Sequence, residues 1–252
     1  MISRAARLSP PLLIAGVAAA GSLAVLVLLL VRGMTYRGTV AWSTHLPGPV
    51  QSFFSAVSEY GILGLLALFA VAALRARRRG LTHLARGIAA GFGVIAAYVS
   101  SEILKVLFSE LRPCHHFTVA TIAACPEAAD WSWPSNHATI SAAIALAVLS
   151  MAPRLGLLAL PLAGLIGFSR VAVGVHYFHD VLAGVLLAAL AVTVLTAVGT
   201  PPVARSLTWC RRFPLLDRLL TASPDRHRAR PPRHVRLDSA RTAQGRSERS
   251  LP

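Results

Sequence analysis

The sequence contains a single lysine, Lys105, although Lys and Arg together number 25. Acidic residues are scarce, 10 in 252 positions, so the formal net charge is +15. Such an excess would suit a nucleic-acid partner, but no basic motif interleaved with aromatics is present, which argues against a base-reading module. The charge sits elsewhere. Residues 201–252 hold 12 Arg against 4 acidic residues, a local +8, and most of the remaining Arg stands at the ends of apolar runs. That distribution implies a bilayer partner with anionic lipids. No internal repeat is visible. Cysteine is also rare, at three. Cys114, His115, His116 and Cys125 lack any standard zinc spacing, and Cys210 reads as a reduced thiol on the cytoplasmic side.

What is abundant is apolar sequence: 55% of residues are hydrophobic and mean hydropathy is +0.61. Length alone allows one or two soluble domains. Several long apolar runs indicate instead an all-α, polytopic membrane helical bundle of about six transmembrane helices. The expected spans are about Leu12–Val31, Phe53–Leu74, Gly87–Phe108, His137 to just before Pro153, Leu155–Phe168 and Val181–Val198. A cleavable signal peptide is the rival for the first, but its apolar run continues past the Ala-rich stretch at 17–20, which favours an uncleaved span. Residues 32–50, with Trp42, His45 and two prolines, read as a loop, and Glu59 reads as interfacial. Residues 109–133 read as a second loop. Pro201 and Pro202 are expected to stop the last helix.

The organisation is therefore a membrane domain over 1–200 and a basic tail over 201–252. Within the tail, 207–220 reads as an interfacial amphipathic helix and composition predicts disorder after about residue 222. Arg4 and Arg7, Arg75-Ala-Arg77-Arg78-Arg79, Arg86, Arg154 and the tail share one side if there are six spans. The positive-inside rule makes that side cytoplasmic, with both termini there. The loops 32–52, 109–136 and 169–180 then share the outer face.

Chemistry concentrates on those outer loops. The stretch Ser169-Arg170-Val-Ala-Val-Gly-Val-His176-Tyr-Phe-His179-Asp180 joins two apolar runs. Arg170 offers a planar fork of donors for phosphate oxygens. His176 can serve as nucleophile or base, and Asp180, four residues later, can orient its ring. The bland alternative is an interfacial ion pair between Arg170 and Asp180 beside an incidental histidine. A second group is Lys105-Val-Leu-Phe-Ser-Glu-Leu-Arg112-Pro113. Lysine inside an apolar segment costs about 2.5–3.5 kcal/mol, which a bound phosphate would justify; a snorkelling side chain is the alternative. Seven residues separate Lys105 from Arg112, two helical turns, so both can share a face. A third group is Trp133-Pro134-Ser135-Asn136-His137. Here Ser135 can cap a helix whose free N–H groups bind an anion, or simply cap it.

The three groups together resemble the type 2 phosphatidic acid phosphatase superfamily, which includes lipid phosphatases and vanadium haloperoxidases. Its pattern is K-x6-R-P, then P-S-G-H, then S-R-x5-H-x3-D. The first and third match at every fixed position, and the second departs at Asn136, where glycine is usual. Asparagine tolerates left-handed backbone better than most residues, but its side chain is expected to narrow the pocket. The resemblance spans about 85–198. It implies that Lys105, Arg112, Ser135, Asn136 and Arg170 hold the phosphate. It implies further that His176 attacks phosphorus to form a phosphohistidine, that Asp180 orients His176, and that His137 protonates the leaving oxygen and then activates water. No metal or other cofactor is then required, and His179 becomes a neighbour of the site.

The implied function is an integral-membrane lipid phosphatase with its active site on the extracytoplasmic face of the cell membrane. The implied partner is a lipid phosphate substrate; short loops and Arg/Ala-rich composition favour a polyprenyl diphosphate such as undecaprenyl diphosphate. Phosphatidic acid and phosphatidylglycerol phosphate are alternatives. A transporter or scaffold on the same fold is an alternative of another class, opposed by the intact His137, His176 and Asp180. Cys114 and Cys125 share one short outer loop, where an oxidising environment favours a disulfide. Oligomeric state is not legible.

Overall fold

The computed structural model describes residues 10–214 and 216. Among them the chain is all helical, with no strand. The helices are α1 (Pro10–Leu30), α2 (Arg32–Thr44), α3 (Gly48–Arg79), α4 (Leu81–Phe108), α5 (Pro113–His116), α6 (Asn136–Met151), α7 (Pro153–Ala172) and α8 (Phe178–Cys210). Four of these, α3, α4, α7 and α8, are long and apolar enough to cross a membrane, and the bent pair α1–α2 makes five.

The 16-residue α6 is the axis of the bundle. One side packs Ile144, Ala145, Val148 and Met151 against Leu65, Ala72 and Ala76 of α3 and Ala159, Ala163 and Ile166 of α7. Its other side packs Ala142, Ala143 and Ala147 against Ala90 and Ala97 of α4 and Ala188 and Val192 of α8. In lipid the tails are as apolar as the side chains, so association rests on close packing, and small residues let backbones approach. Gly184 shows the limit: a Cβ there would lie 2.9 Å from the Ser135 carbonyl oxygen. The central position of α6 also explains its brevity, because neighbouring helices rather than lipid surround it.

The two ends of the bundle differ in chemistry. At one, α3 closes with Arg77, Arg78 and Arg79, and Arg79 donates to the Met151 carbonyl at the C-terminus of α6, 3.3 Å away. At the other lie α2, α5, the N-termini of α6 and α8 and the C-termini of α4 and α7.

Several boundaries depart from the sequence reading. Residues 32–44 are a helix, not a loop; α2 leaves the end of α1 at 75°. The prolines that suggested a loop fall later, at the N-terminus of α3, where proline is tolerated. α8 runs through Pro201 and Pro202 to Cys210 instead of stopping. Proline's φ is helical, and Arg205 and Ser206 turn back to the Pro201 and Pro202 carbonyls, 3.5 and 3.1 Å away. Residues 207–210 therefore continue α8 rather than opening a separate interfacial helix. Residues 1–9, with Arg4 and Arg7, and all of the tail beyond 216 lie outside the described residues.

Candidate active site

The link between α7 and α8 is built to place one histidine. Ser169 and Arg170 are still helical, in the last turn of α7, so the expected outer loop is only the short stretch Val173–Tyr177. Gly174 turns the chain at φ +90°, and any side chain there would collide with Thr121. The Tyr36 hydroxyl of α2 donates to the Gly174 carbonyl, 3.0 Å away. Ala123 donates to the Val173 carbonyl at 3.1 Å. His176 is buried at the end of this braced link.

Asp180 meets it from the first turn of α8. His176 Nδ1 lies 3.2 Å from Asp180 Oδ2, which also accepts from Ser132 Oγ at 2.5 Å and from the Tyr177 N–H at 2.9 Å. The other oxygen, Oδ1, is 3.1 Å from His179 Nε2, and that nitrogen is 3.4 Å from Glu110 Oε2. Glu110 in turn pairs with Arg32 of α2 at 2.6 Å. With Nδ1 turned to the carboxylate, the Nε2 lone pair of His176 faces the cationic side and accepts from Arg112 Nη1 at 2.9 Å. Burial first, then the charges of Arg112, Arg170 and Lys105, hold the His176 imidazole well below its ordinary pKa, so the ring is neutral.

The cations converge by another route than a shared helix face. α4 ends at Phe108, with Ser109 left-handed, and Arg112 is extended backbone before α5, which Pro113 begins rather than ending α4. Lys105 and Arg112 meet instead on Asp130, whose carboxylate is 3.2 Å from Lys105 Nζ and 2.9 Å from Arg112 Nη2. Lys105 is buried, so the snorkelling alternative fails. Burial raises the Asp130 pKa, but the hydrogen bonds and charges of Arg112 and Lys105 outweigh it and leave the carboxyl below its usual range.

Arg170 does not pair with Asp180. It donates to Ser58 Oγ of α3 at 2.6 Å, and its Nε is buried without a hydrogen-bond partner. Ser135 stands at the N-cap of α6 but makes no side-chain cap bond; its buried hydroxyl also lacks a partner. His137, the second residue of α6, forms no ring hydrogen bond among the described residues and feels the charges of Arg170, Arg112, Lys105 and Asp130. Asn136 turns away from these groups rather than narrowing the space: its amide bonds Glu102, and its oxygen accepts from Ser101 Oγ at 2.7 Å.

Cys114 and Cys125 form a disulfide, with Cα atoms 5.9 Å apart. That removes both thiolates from any zinc site with His115. Glu110, His179 and Asp180 also lie close enough together to hold a metal ion. Their contacts are charge pairs within an Arg32–Glu110–His179–Asp180 chain, and Asp180 Oδ1 is buried without a hydrogen bond. The sequence reading missed Ser58, Glu110, Asp130 and Ser132. The only signal available was that three of the ten acids, Glu110, Glu127 and Asp130, fall in the single loop between two phosphate-type motifs.

Taken together, a neutral buried histidine held by a carboxylate faces three cations and an unpartnered hydroxyl. Such an arrangement can accept a phosphoryl group. Residues 86–201 match the PAP2 superfamily. The chain is 31% identical over 145 residues to the undecaprenyl-diphosphatase BcrC of Bacillus subtilis (strain 168), covering 58% of this chain and 72% of that protein. It is 37% identical over 102 residues to an undecaprenyl-diphosphatase of Sulfolobus acidocaldarius, covering 40% of this chain and 49% of that one. A decaprenylphosphoryl-5-phosphoribose phosphatase of Mycobacterium tuberculosis is 35% identical over 136 residues, covering 54% and 70%. In fold, the chain resembles the crystal structure of a transmembrane PAP2-type phosphatidylglycerolphosphate phosphatase from Bacillus subtilis. The TM-score is 0.51 at 18% identity, over 72% of this chain and 94% of that one.

Proposed function

Because this chain belongs to the PAP2 superfamily and is a multi-pass membrane lipid phosphatase, we propose that it hydrolyses a polyprenyl diphosphate through a phosphohistidine on His176. The observation that carries the reading is the His176–Asp180 pair at 3.2 Å, with Nε2 turned toward the cations. The substrate choice is supported by two relatives named undecaprenyl-diphosphatase. A phosphate monoester on a polyprenyl-linked sugar is the second reading, favoured by the similarity to the decaprenylphosphoryl-5-phosphoribose phosphatase.

In this mechanism Lys105, Arg112, Arg170 and Ser135 hold the terminal phosphate, with backbone amides at the start of α6, including that of Asn136, completing the cradle. His176 Nε2 attacks phosphorus while the bond to the leaving lipid oxygen breaks. His137 gives that oxygen its proton. Asp180 stabilises the charge that develops on the imidazole, as the carboxylate of a triad does. His137 then takes a proton from water, the water oxygen bonds to phosphorus, the N–P bond breaks and inorganic phosphate leaves. No step calls for a metal.

We place this site on the outer face of six spans, counting α1–α2 as one and α6 as the sixth. The Arg-rich end of the bundle is then cytoplasmic together with both termini, and the disulfide lies on the oxidising side. In this organisation residues 1–200 form the phosphatase domain and 201–252 a basic tail against anionic lipid. Phosphate release from a panel of polyprenyl diphosphates, polyprenyl monophosphates, phosphatidic acid and phosphatidylglycerol phosphate tests the reading, with EDTA present and with His176→Ala as control. The highest kcat/KM should fall on a polyprenyl diphosphate, persist in EDTA and vanish in His176→Ala. Release that stays near wild type in His176→Ala would exclude this nucleophile.

A further inference from the structure

The two cations of the first motif already hold an anion that belongs to the protein. Arg112 is committed on every nitrogen: Nε to the Asp130 backbone oxygen at 2.8 Å, Nη1 to Val175 O at 3.0 Å and to His176 Nε2 at 2.9 Å, Nη2 to the Asp130 carboxylate at 2.9 Å. Lys105 Nζ has only Asp130 as a partner among the described residues, at 3.2 Å. Ser135 Oγ and Arg170 Nε, by contrast, are buried and unpartnered. A phosphate can engage Ser135 and Arg170 as they stand. It can take Lys105 and the Nη2 edge of Arg112 only by replacing the Asp130 carboxylate.

We propose that Asp130 is the resident anion of the phosphate site, displaced by the substrate's phosphate at the start of turnover and returning to displace the product phosphate at its end. The identity of the incoming anion rests on the phosphatase reading above. The geometry permits the exchange with little rearrangement. Arg112 Nε stays anchored on the backbone oxygen of residue 130, whatever the side chain does. The Asp130 N–H is held by Glu127 O at 2.9 Å and the Ser132 N–H by Glu110 O at 2.7 Å, so the turn itself need not open. The carboxylate is 49% exposed and can rotate outward.

Two buried cations would otherwise stand uncompensated between turnovers, at considerable cost in desolvation. Occupancy by Asp130 lowers the apparent affinity for any phosphate in proportion to the fraction of time the site is open. A weak hold on inorganic phosphate matters here, because product and substrate offer the same group.

The test uses the full chain in detergent micelles and equilibrium binding of radiolabelled inorganic phosphate. Asp130→Asn, which keeps the backbone anchor but removes the charge, should bind phosphate about tenfold more tightly than wild type. Asp130→Glu should stay closer to wild type than to Asp130→Asn. Equal or weaker binding by Asp130→Asn overturns the proposal, since the carboxylate would then be organising the cations rather than competing for them. A second readout needs no variant: inorganic phosphate should raise carbodiimide labelling of Asp130 in the wild-type protein, read by peptide mass spectrometry, and unchanged or lower labelling also overturns it. Wild-type protein that releases phosphate from none of the lipids would sink the phosphatase reading, while the binding ratio and the labelling still decide the role of Asp130.

Discussion

Asp180 faces four neighbours with two oxygens, and the division of labour between them sets the ring of His176, the proposed nucleophile. Oδ2 holds His176 Nδ1, and the shortest bond it receives comes from Ser132 at 2.5 Å. Ser132→Ala removes that donor and frees the carboxylate to turn. We expect kcat to fall about tenfold with KM little changed, because ring orientation is lost while the phosphate ligands remain, and stability to fall by about 1–3 kcal/mol. Steady-state kinetics and thermal unfolding in detergent check both; an unchanged kcat would mean that His176 and the backbone suffice to fix Asp180. The pH dependence follows from the imidazole. Burial holds the folded pKa of His176 below its ordinary value, so the native ring stays neutral while an unfolded one protonates near about pH 6.5. Its contribution to stability is therefore complete above the unfolded value and is lost as pH falls through the lower folded one. Single-turnover phosphoenzyme formation should keep its full rate as pH drops to about 6.5, with the acid limb lying below. An acid limb above that value contradicts a pre-neutralised nucleophile. Asn136 makes a separate point: its side chain belongs to Ser101 and Glu102 of α4. Asn136→Gly should thus leave kcat/KM within about threefold while lowering stability by about 1 kcal/mol. A large gain in activity would show that the side chain does obstruct the pocket.

At the level of elements, the residues that motif spacing singled out do converge, but several converge for reasons spacing did not show. Lys105 and Arg112 were expected to share a helix face, yet the helix ends between them and a carboxylate in the following loop brings them together. Ser132, Asp130 and Ser58 carry no periodic signal; a lone serine or aspartate in a loop or long helix acquires a role only when the chain folds back through space. α2 was illegible for a related reason. It covers the back of the site through Tyr36 and Arg32, with a composition too polar for a span, beside prolines that serve the next helix. The apolar spans themselves were legible because bilayer thickness imposes a length that sequence must meet. The disulfide loop is the element-scale test. Cys114→Ser with Cys125→Ser should lower stability by about 3 kcal/mol in the chain-entropy estimate and weaken phosphate binding, since the loop joins Arg112 to Ser135. Mass spectrometry of alkylated, non-reduced peptides should find the Cys114–Cys125 pair in protein from an oxidising compartment. Two fully alkylated thiols there would remove the brace.

For the whole molecule, the decisive feature is that charge and chemistry lie at opposite ends of the same bundle. Arg77, Arg78 and Arg79 close α3, and Arg154 opens α7 beside the C-terminus of α6, which Arg79 reaches at Met151. The proposed nucleophile His176, the cations and the disulfide lie at the far ends of those helices. The positive-inside rule retains an Arg-rich end on the cytoplasmic side during insertion, and under the proposed orientation the site would open outward and meet a lipid phosphate there. The count turns on the short α6 and the bent α1–α2 pair: without α6 as a span the tail and the Arg-rich end would fall on opposite sides, and without α1–α2 the N-terminus would fall opposite both. A reporter fused after residue 200 should behave as cytoplasmic, and one inserted near Glu127 as external. Replacing Arg77, Arg78 and Arg79 together with Glu should weaken this bias and yield a mixed population. If the Glu127 reporter reads as cytoplasmic in the wild-type chain, the outward-facing site falls, and with it the oxidising surroundings that favour the Cys114–Cys125 bond.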